Sequence, residues 1–522
     1  MLATALIGYT VLMLGLGYAS RRRQGTAGFF NGGHRLPGWS TFVLVTALWT
    51  SSCIVVEIDT GYEVGISAVW FGISVALLSI SVALLMPFFR KRGYTSNSDL
   101  LGKGFGKSVQ RLSGVIIGVT FPIFAMSNAL FAALFFRALW GWPLAFSLGL
   151  TTIVLIIYIQ FAGLVSLAAT QGVNLAVMLG ALGLTAALVH TQLSSAGSRL
   201  VPATLVASLH NWSGVGLATI LVWFGMNVLN VFSAQAEFQM LAAARSPRQA
   251  RQVVWLSTGV LLAVTGVSTW IGLQMRLHAA PQISGGLSQL AYLIVTRAHS
   301  WEIPLIGVGI WAMALSWCGP LLFSGAMSLG KDVVSVRVPM RWTQWALALE
   351  GAAMMAFTLW RPGETAWWRV FGLTLRNAGI VGPTVALILW GEELSGSFVV
   401  AAMLSGVGVG LALNAATGFS PTHFVGDINP MWAAQAATFL VLALGRWLQT
   451  KPWTHAAAWV LATVTVTAYS VSAPWVPPAF RGIALLLTSC LAFGLTWFLT
   501  RQLAAGQEGT ACLAQGTQES SK

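Results

Sequence analysis

Long apolar stretches separated by short polar loops recur along almost the whole chain. Each stretch approaches the ~20 residues that a helix needs to cross about 30 Å of hydrocarbon. A lipid-facing backbone must satisfy its own hydrogen bonds, and stretches of this length favour helices over barrel strands. The pattern predicts 13 to 15 transmembrane helices, with spans at about 2–19, 40–60, 67–89, 112–136, 143–161, 164–189, 215–240, 253–275, 303–329, 342–360, 367–390, 397–415, 431–449, 455–472 and 480–500.

Composition supports an all-α integral membrane protein. The 522 residues are 56% hydrophobic and 8% charged, whereas soluble domains are roughly 25% charged. The net charge of +14 comes from basic residues in short loops, so no nucleic-acid partner is expected. The four cysteines and seven histidines show no metal-ligand or nucleophile spacing, so neither an enzyme nor a resident cofactor is expected.

The basic residues also predict the orientation of the chain. The first apolar run precedes Arg21, Arg22 and Arg23, the reverse of a cleavable signal peptide. If the loop after this run is cytoplasmic, the cytoplasmic segments hold 20 Lys and Arg and the outer segments hold 7. The sequence therefore predicts a multi-pass cell-membrane protein with its N-terminus outside, its C-terminus cytoplasmic and a disordered cytoplasmic tail at 502–522.

Several blocks carry a family resemblance. Residues 30–106 contain FNGGHRLPGW, GYEVGISAVWFG and RKRGYTSNSDLLGKGFG. They are followed by AGLVSLAATQGVNLAVM at 162–178, AQAEFQMLAAARSPRQAR at 234–251 and GIVGPTVALILWGEELSG at 379–396. In this order the blocks resemble the sodium/solute symporter family over about residues 5–450. The resemblance implies a secondary transporter that moves a small organic solute across the bilayer by alternating access.

The resemblance also implies an inverted five-plus-five helix repeat of the leucine-transporter type. Repeat one would cover about 40–189 and repeat two about 215–390, preceded by an extra helix and cytoplasmic loop at 1–39 and followed by additional helices at 391–501. Such folds bind solute near mid-membrane, where one helix of each repeat is broken.

The second and seventh spans carry small polar residues at comparable depth, which suits such breaks. The alternative is that these residues only hold helices together. The candidate solute-binding residues are Thr50, Ser52, Glu57, Asn227 and Asn230.

A sodium ion, the possible coupling ion, would lie between the second and ninth spans in this family. The resemblance places backbone ligands at Leu48 and Ser51, and Met313 and Ser316 complete the candidate set. The second family hydroxyl is replaced by Trp317, whose indole N–H only donates hydrogen bonds. The predicted sodium site is therefore degraded.

The predicted path of the cation shows a second departure. Thr170 matches the family, but the carboxylate expected after it is the neutral amide of Gln171. Sodium coupling follows from the resemblance, while proton coupling through Glu57 or Asp59, uncoupled exchange and a transporter-like sensor stay open. Both acids act in transport on one interpretation, and on the other they lie in water at the outer helix end.

One further pair of charges is predicted within the membrane. Glu350 and Arg376 are each thirteen residues from Gly363, in a Pro-Gly turn between two spans. Equal spacing predicts equal depth on neighbouring antiparallel helices. We therefore expect a buried ion pair, either structural or part of a gate.

Overall fold

The structure is a computed structural model that describes most of the chain. The described residues are 1–21, 36–160, 164–195, 202–278, 280, 282–334, 339–391, 393–450, 462–463, 465–469 and 471–519. Within them the chain is helical, and the one β-type contact is an isolated bridge between Leu36 and Ala244. The chain forms two compact units: residues 1–100 with 114–372, and residues 101–113 with 373–522.

The helices are numbered here in chain order. They are α1 Leu2–Arg21, α2 Gly38–Val64, α3 Val69–Lys91, α4 Asn97–Phe105, α5 Lys107–Trp140, α6 Leu144–Gln160, α7 Leu164–Ser195, α8 Ala203–Leu209, α9 Leu217–Asn230, α10 Gln235–Ala242, α11 Pro247–Leu277, α12 Gly286–Arg297, α13 Glu302–Met327, α14 Pro339–Trp360, α15 Thr365–Trp390, α16 Gly396–Ala416, α17 Pro430–Thr450 and α18 Arg481–Glu519. A π-helical turn, Ser328–Val334, follows α13.

Ten stretches of the described residues are long and apolar enough to cross a membrane, or eleven if a bent helix pair counts as one span. One of the ten contains both α2 and α3. The predicted span at 455–472 lies largely outside the described residues. The count of 13 to 15 helices and the inverted repeat stay predictions.

The C-terminal segment differs from its prediction. Helix α18 continues to Glu519, where the sequence predicts a disordered tail from residue 502. Alanine, leucine, glutamine and glutamate are frequent in this segment, and all four favour helix. The polarity that suggests disorder is therefore compatible with an extended helix.

Helix α2 runs through the core of the first unit without a break. The side chains from Val43 to Tyr62 are buried. The Thr50 hydroxyl donates to the Thr46 carbonyl oxygen at 2.6 Å, and the Ser51 hydroxyl donates to the Leu48 carbonyl oxygen at 3.0 Å. Both bonds lie within the helix and leave its backbone ladder intact. The predicted break in the second span is therefore wrong.

The packing of α2 against α11 depends on close backbone approach. A Cβ on Gly61 of α2 would lie only 2.8 Å from the Thr269 carbonyl oxygen of α11. Glycine is therefore required where the two helices cross, since a side chain would separate their backbones.

The seventh predicted span is broken, as the sequence predicts. Helix α9 ends at Asn230, α10 begins at Gln235, and the two axes differ by 45°. The Gln235 side chain reaches the end of α13, donating to the Ser324 hydroxyl at 3.0 Å and to the Ser328 hydroxyl at 2.9 Å. It also accepts the Asn97 backbone N–H at 3.0 Å. These contacts fix the start of α10 after the bend.

Candidate solute and cation sites

Asn128 of α5 connects α2 with α13 in the middle of the first unit. Its side-chain nitrogen donates to the Ser51 carbonyl oxygen at 2.9 Å and to the Met313 carbonyl oxygen at 3.2 Å. Its amide oxygen accepts the Ser127 hydroxyl at 3.1 Å, and the residue is 1% exposed. A primary amide has two N–H donors, so one side chain satisfies a carbonyl on each of two helices.

This arrangement contains the residues predicted to bind sodium. The Leu48 carbonyl oxygen accepts the Ser51 hydroxyl, and the Ser51 and Met313 carbonyl oxygens accept Asn128. The Ser316 hydroxyl is buried and has no hydrogen-bond partner among the described residues. The structure thus brings Ser51 and Met313 to one place, but it joins them through a side-chain amide.

Hydrogen-bond donors lie around the other residues of the predicted sodium site and cation path. The Trp317 indole N–H donates to the Phe124 carbonyl oxygen at 2.7 Å. The Gln171 amide donates to the Ser316 carbonyl oxygen at 3.4 Å. The Thr170 hydroxyl is hydrogen-bonded to the Tyr158 hydroxyl at 2.5 Å. Gln171 therefore does reach the predicted sodium site, where it presents an N–H.

A buried arginine that the motifs do not predict lies next to this place. Arg369 of α15 is 6% exposed and donates to the Ser52 hydroxyl at 2.7 Å and the Ser127 hydroxyl at 3.3 Å. Its guanidinium carbon lies 4.0 Å from the centre of the Trp317 ring, within range of a cation–π interaction. The signal that could have found Arg369 is its position inside the apolar span 367–390.

The residues present do not fit a sodium ion at the predicted position. An ion that bridges two carbonyl oxygens must lie within coordination distance of both, and the Asn128 nitrogen already occupies such a position. The indole at Trp317 cannot coordinate a cation through its N–H. The guanidinium of Arg369 adds a permanent positive charge beside Ser52.

A second polar group surrounds Glu57 of α2. The Thr269 hydroxyl of α11 donates to Glu57 Oε2 at 2.9 Å. Glu57 Oε1 and the hydroxyls of Thr265 and Ser268 are buried and have no hydrogen-bond partner among the described residues. A Cβ on Gly72 of α3 would lie 2.7 Å from Glu57 Oε1 and would also collide with the Thr265 side chain. Oxygen atoms from α2 and α11 thus meet beside the backbone of α3.

Asp59 has a structural partner. Its Oδ2 accepts the Thr365 backbone N–H at 3.0 Å and the Thr365 hydroxyl at 2.8 Å. Thr365 is the first residue of α15, so a carboxylate of α2 caps this helix and interacts favourably with its N-terminal dipole. Glu57 is 0% exposed and Asp59 is 4% exposed, so the interpretation that both lie in water is wrong.

The other solute-site candidates are not collected around Ser52. The Asn227 amide donates to the Ser74 hydroxyl of α3 at 2.8 Å. The Asn230 side chain accepts the Ser233 hydroxyl at 3.0 Å, at the break between α9 and α10. The Thr50 hydroxyl bonds within its own helix. Asn227 thus joins α9 to α3, while Thr50 bonds within α2.

The sequence predicts a buried ion pair between Glu350 and Arg376. The Glu350 side chain is 1% exposed, and neither of its carboxylate oxygens has a hydrogen-bond partner among the described residues. A Cβ on Gly325 of α13 would lie 2.5 Å from Glu350 Oε1, so the carboxylate is directed at α13. Equal spacing from the turn sets the depth of Glu350 and Arg376, but it does not set the direction of each side chain.

Comparisons with known proteins identify the fold. A scan against protein-family models and a search of curated proteins found no significant match. Among solved structures, the chain is similar to a substrate-bound, outward-open sodium-coupled sialic acid symporter: TM-score 0.61 and 17% identity over 95% of this chain and 97% of that one. It is also similar to Mhp1, a nucleobase-cation-symport-1 family transporter in a closed conformation with bromovinylhydantoin bound: TM-score 0.52 and 10% identity over 92% of this chain and 96% of that one.

Fold and composition together define a multi-pass helical membrane protein with a transporter fold. More narrowly, the chain has a sodium/solute symporter-type fold, which confirms the resemblance read from the sequence blocks.

Proposed function

We propose that this chain is a secondary transporter that carries a small organic solute with an acidic group across the cell membrane by alternating access. The fold and the break between α9 and α10 support the transporter part, because broken helices expose backbone groups to solutes at mid-membrane. The distribution of basic residues supports an outer N-terminus and a cytoplasmic C-terminus.

Arg369 carries the proposal about the solute. A buried guanidinium inside a membrane protein is costly and marks a functional position by default. Its guanidinium donates to the Ser52 and Ser127 hydroxyls and lies over the Trp317 ring, and these contacts fix its orientation. A guanidinium in this setting suits a carboxylate, which it can bind with two parallel hydrogen bonds.

The test is uptake into proteoliposomes by the purified, full-length protein. A panel of radiolabelled small carboxylates is compared with uncharged and cationic analogues of similar size. We expect saturable uptake of at least one carboxylate. Uptake confined to the cationic analogues would contradict the solute class, and binding without any uptake would favour the sensor alternative.

The buried carboxylate of Glu57 favours a second candidate function, proton-coupled transport. A carboxylate buried at this depth is costly unless a proton or another cation neutralises it. The few oxygen atoms around it suit a proton better than a metal ion, since hard cations take six or more oxygen ligands in the well-studied calcium and magnesium sites. Uptake driven by an imposed proton gradient, with no sodium present, is the expected result.

A further inference from the structure

We infer that the side-chain amide of Asn128 stands in place of the coupling cation, so that the predicted sodium site of this chain does not bind sodium. The inference deepens the proposed function and rests on it only for its consequence, sodium-independent transport. Whether sodium binds can be measured on the purified protein without any transport.

The carbonyl groups that would bind sodium already accept hydrogen bonds. Of the backbone oxygens nominated as ligands, those of Ser51 and Met313 accept the two N–H donors of Asn128, at 2.9 and 3.2 Å. The Leu48 oxygen accepts a hydroxyl of its own helix. Each of these carbonyl oxygens thus accepts a hydrogen bond from a side chain that the protein itself supplies.

An amide in place of an ion changes how α2 and α13 are joined. A bound ion joins α2 to α13 only while it is present, whereas the Asn128 amide joins them permanently. The amide is neutral, so it also avoids the cost of a charge at this depth. The contact between α2 and α13 is therefore independent of the sodium concentration.

The side chains around the predicted sodium site present N–H donors, whereas a cation needs oxygen ligands. Gln171 directs an N–H at the Ser316 carbonyl oxygen, and Trp317 directs its N–H at Phe124. Arg369 binds Ser52 and Ser127, the sequence neighbours of Ser51 and Asn128. The unpartnered oxygens at this place among the described residues are the Ser316 hydroxyl and Gln171 Oε1. They are too few to hold a hard cation beside the Arg369 guanidinium.

The experiment measures thermal unfolding of the full-length protein in detergent, in sodium, potassium and choline chloride at equal ionic strength. For the wild type we expect the same midpoint in all three salts. Asn128→Asp removes both donors and adds carboxylate oxygens beside two freed carbonyls, a ligand set that suits sodium. We expect its midpoint to rise by about 2 °C or more from choline to sodium, because a ligand that binds the folded state stabilises it.

Asn227→Asp is the matched control, since it places the same new charge on a buried asparagine whose amide contacts only Ser74 and its own helix among the described residues. It should show no sodium-specific shift. If Asn128→Asp does not fold, the wild-type comparison still decides: a sodium-specific stabilisation of the wild type overturns the inference. A protein that shows no such shift and transports no solute would contradict the proposed function but not this inference.

Discussion

Two places on helix α2, six residues apart, show opposite hydrogen bonding. At Ser51, carbonyl oxygens that could hold a cation are bonded to the N–H donors of Asn128. At Glu57 the reverse holds: a carboxylate oxygen and the hydroxyls of Thr265 and Ser268 are buried without a hydrogen-bond partner among the described residues, and the Thr269 hydroxyl donates to the other carboxylate oxygen. The two places are about 9 Å apart along the helix. Under the proposed function, the Glu57 place and not the Ser51 place would therefore take up the coupling cation.

The largest effect is expected from Glu57→Gln. The amide keeps the size of the side chain but cannot take up and release a proton, so proton-driven uptake should fall by about tenfold or more. Uptake is measured in proteoliposomes under an imposed proton gradient. Glu63→Gln makes the same chemical change on the same helix at an exposed position and should leave uptake within about twofold. Equal uptake by wild type and Glu57→Gln would break the comparison.

The next largest effect is expected on solute affinity, from changes to Arg369 beside the Ser51 place. Arg369→Gln should raise the KM for an acidic solute by about tenfold, since a charged hydrogen bond contributes about 1.5–3 kcal/mol. Arg369→Lys keeps the charge and should recover part of the affinity. If Arg369 only supports the structure, both variants should lower the thermal midpoint while KM stays constant.

A steric change at the Glu57 place should act on stability. Gly72→Ala puts a methyl group 2.7 Å from Glu57 Oε1 and against Thr265, so the unfolding free energy should fall by about 1–3 kcal/mol. Gly266→Ala on α11 meets no atom within 4 Å and should be neutral or slightly stabilising. Thermal unfolding of both variants, side by side, measures the difference. Equal midpoints would show that the space beside Glu57 is open.

The smallest effect is expected at Asp59, whose carboxylate already accepts two hydrogen bonds from Thr365. Asp59→Asn weakens the cap on the N-terminus of α15 and should lower stability by about 0.5–2 kcal/mol. It should leave the proton dependence of uptake unchanged, in contrast to Glu57→Gln. A double-mutant cycle with Thr365→Val measures the coupling between the two residues. Additive effects would argue against the observed hydrogen bonds.

The fold could be predicted from the sequence because apolar length and ordered motif blocks both determine it locally. The break after Asn230 was predictable from the small polar residues in the middle of this span, Asn227 and Asn230 among them. The continuity of α2 was not, since Thr50 and Ser51 can serve either an unwound segment or a helix, and only their bonds to Thr46 and Leu48 decide.

The residues that define the site were less accessible to sequence reasoning. Ser51 and Met313 were placed together by resemblance alone, and the structure brings them together. Asn128 belongs to no motif, and its role arises from the packing of three helices that are distant in sequence. Glu350 shows the limit of spacing arguments, because the turn gives its depth but not its direction.

The most direct test of the account is the equilibrium binding of radiolabelled sodium to the purified wild-type protein, with Ser316→Ala as the comparison. The account predicts no saturable binding to either protein at millimolar sodium, because Asn128 holds the carbonyl oxygens that the ion would need. Saturable binding by the wild type that is lost in Ser316→Ala would contradict it.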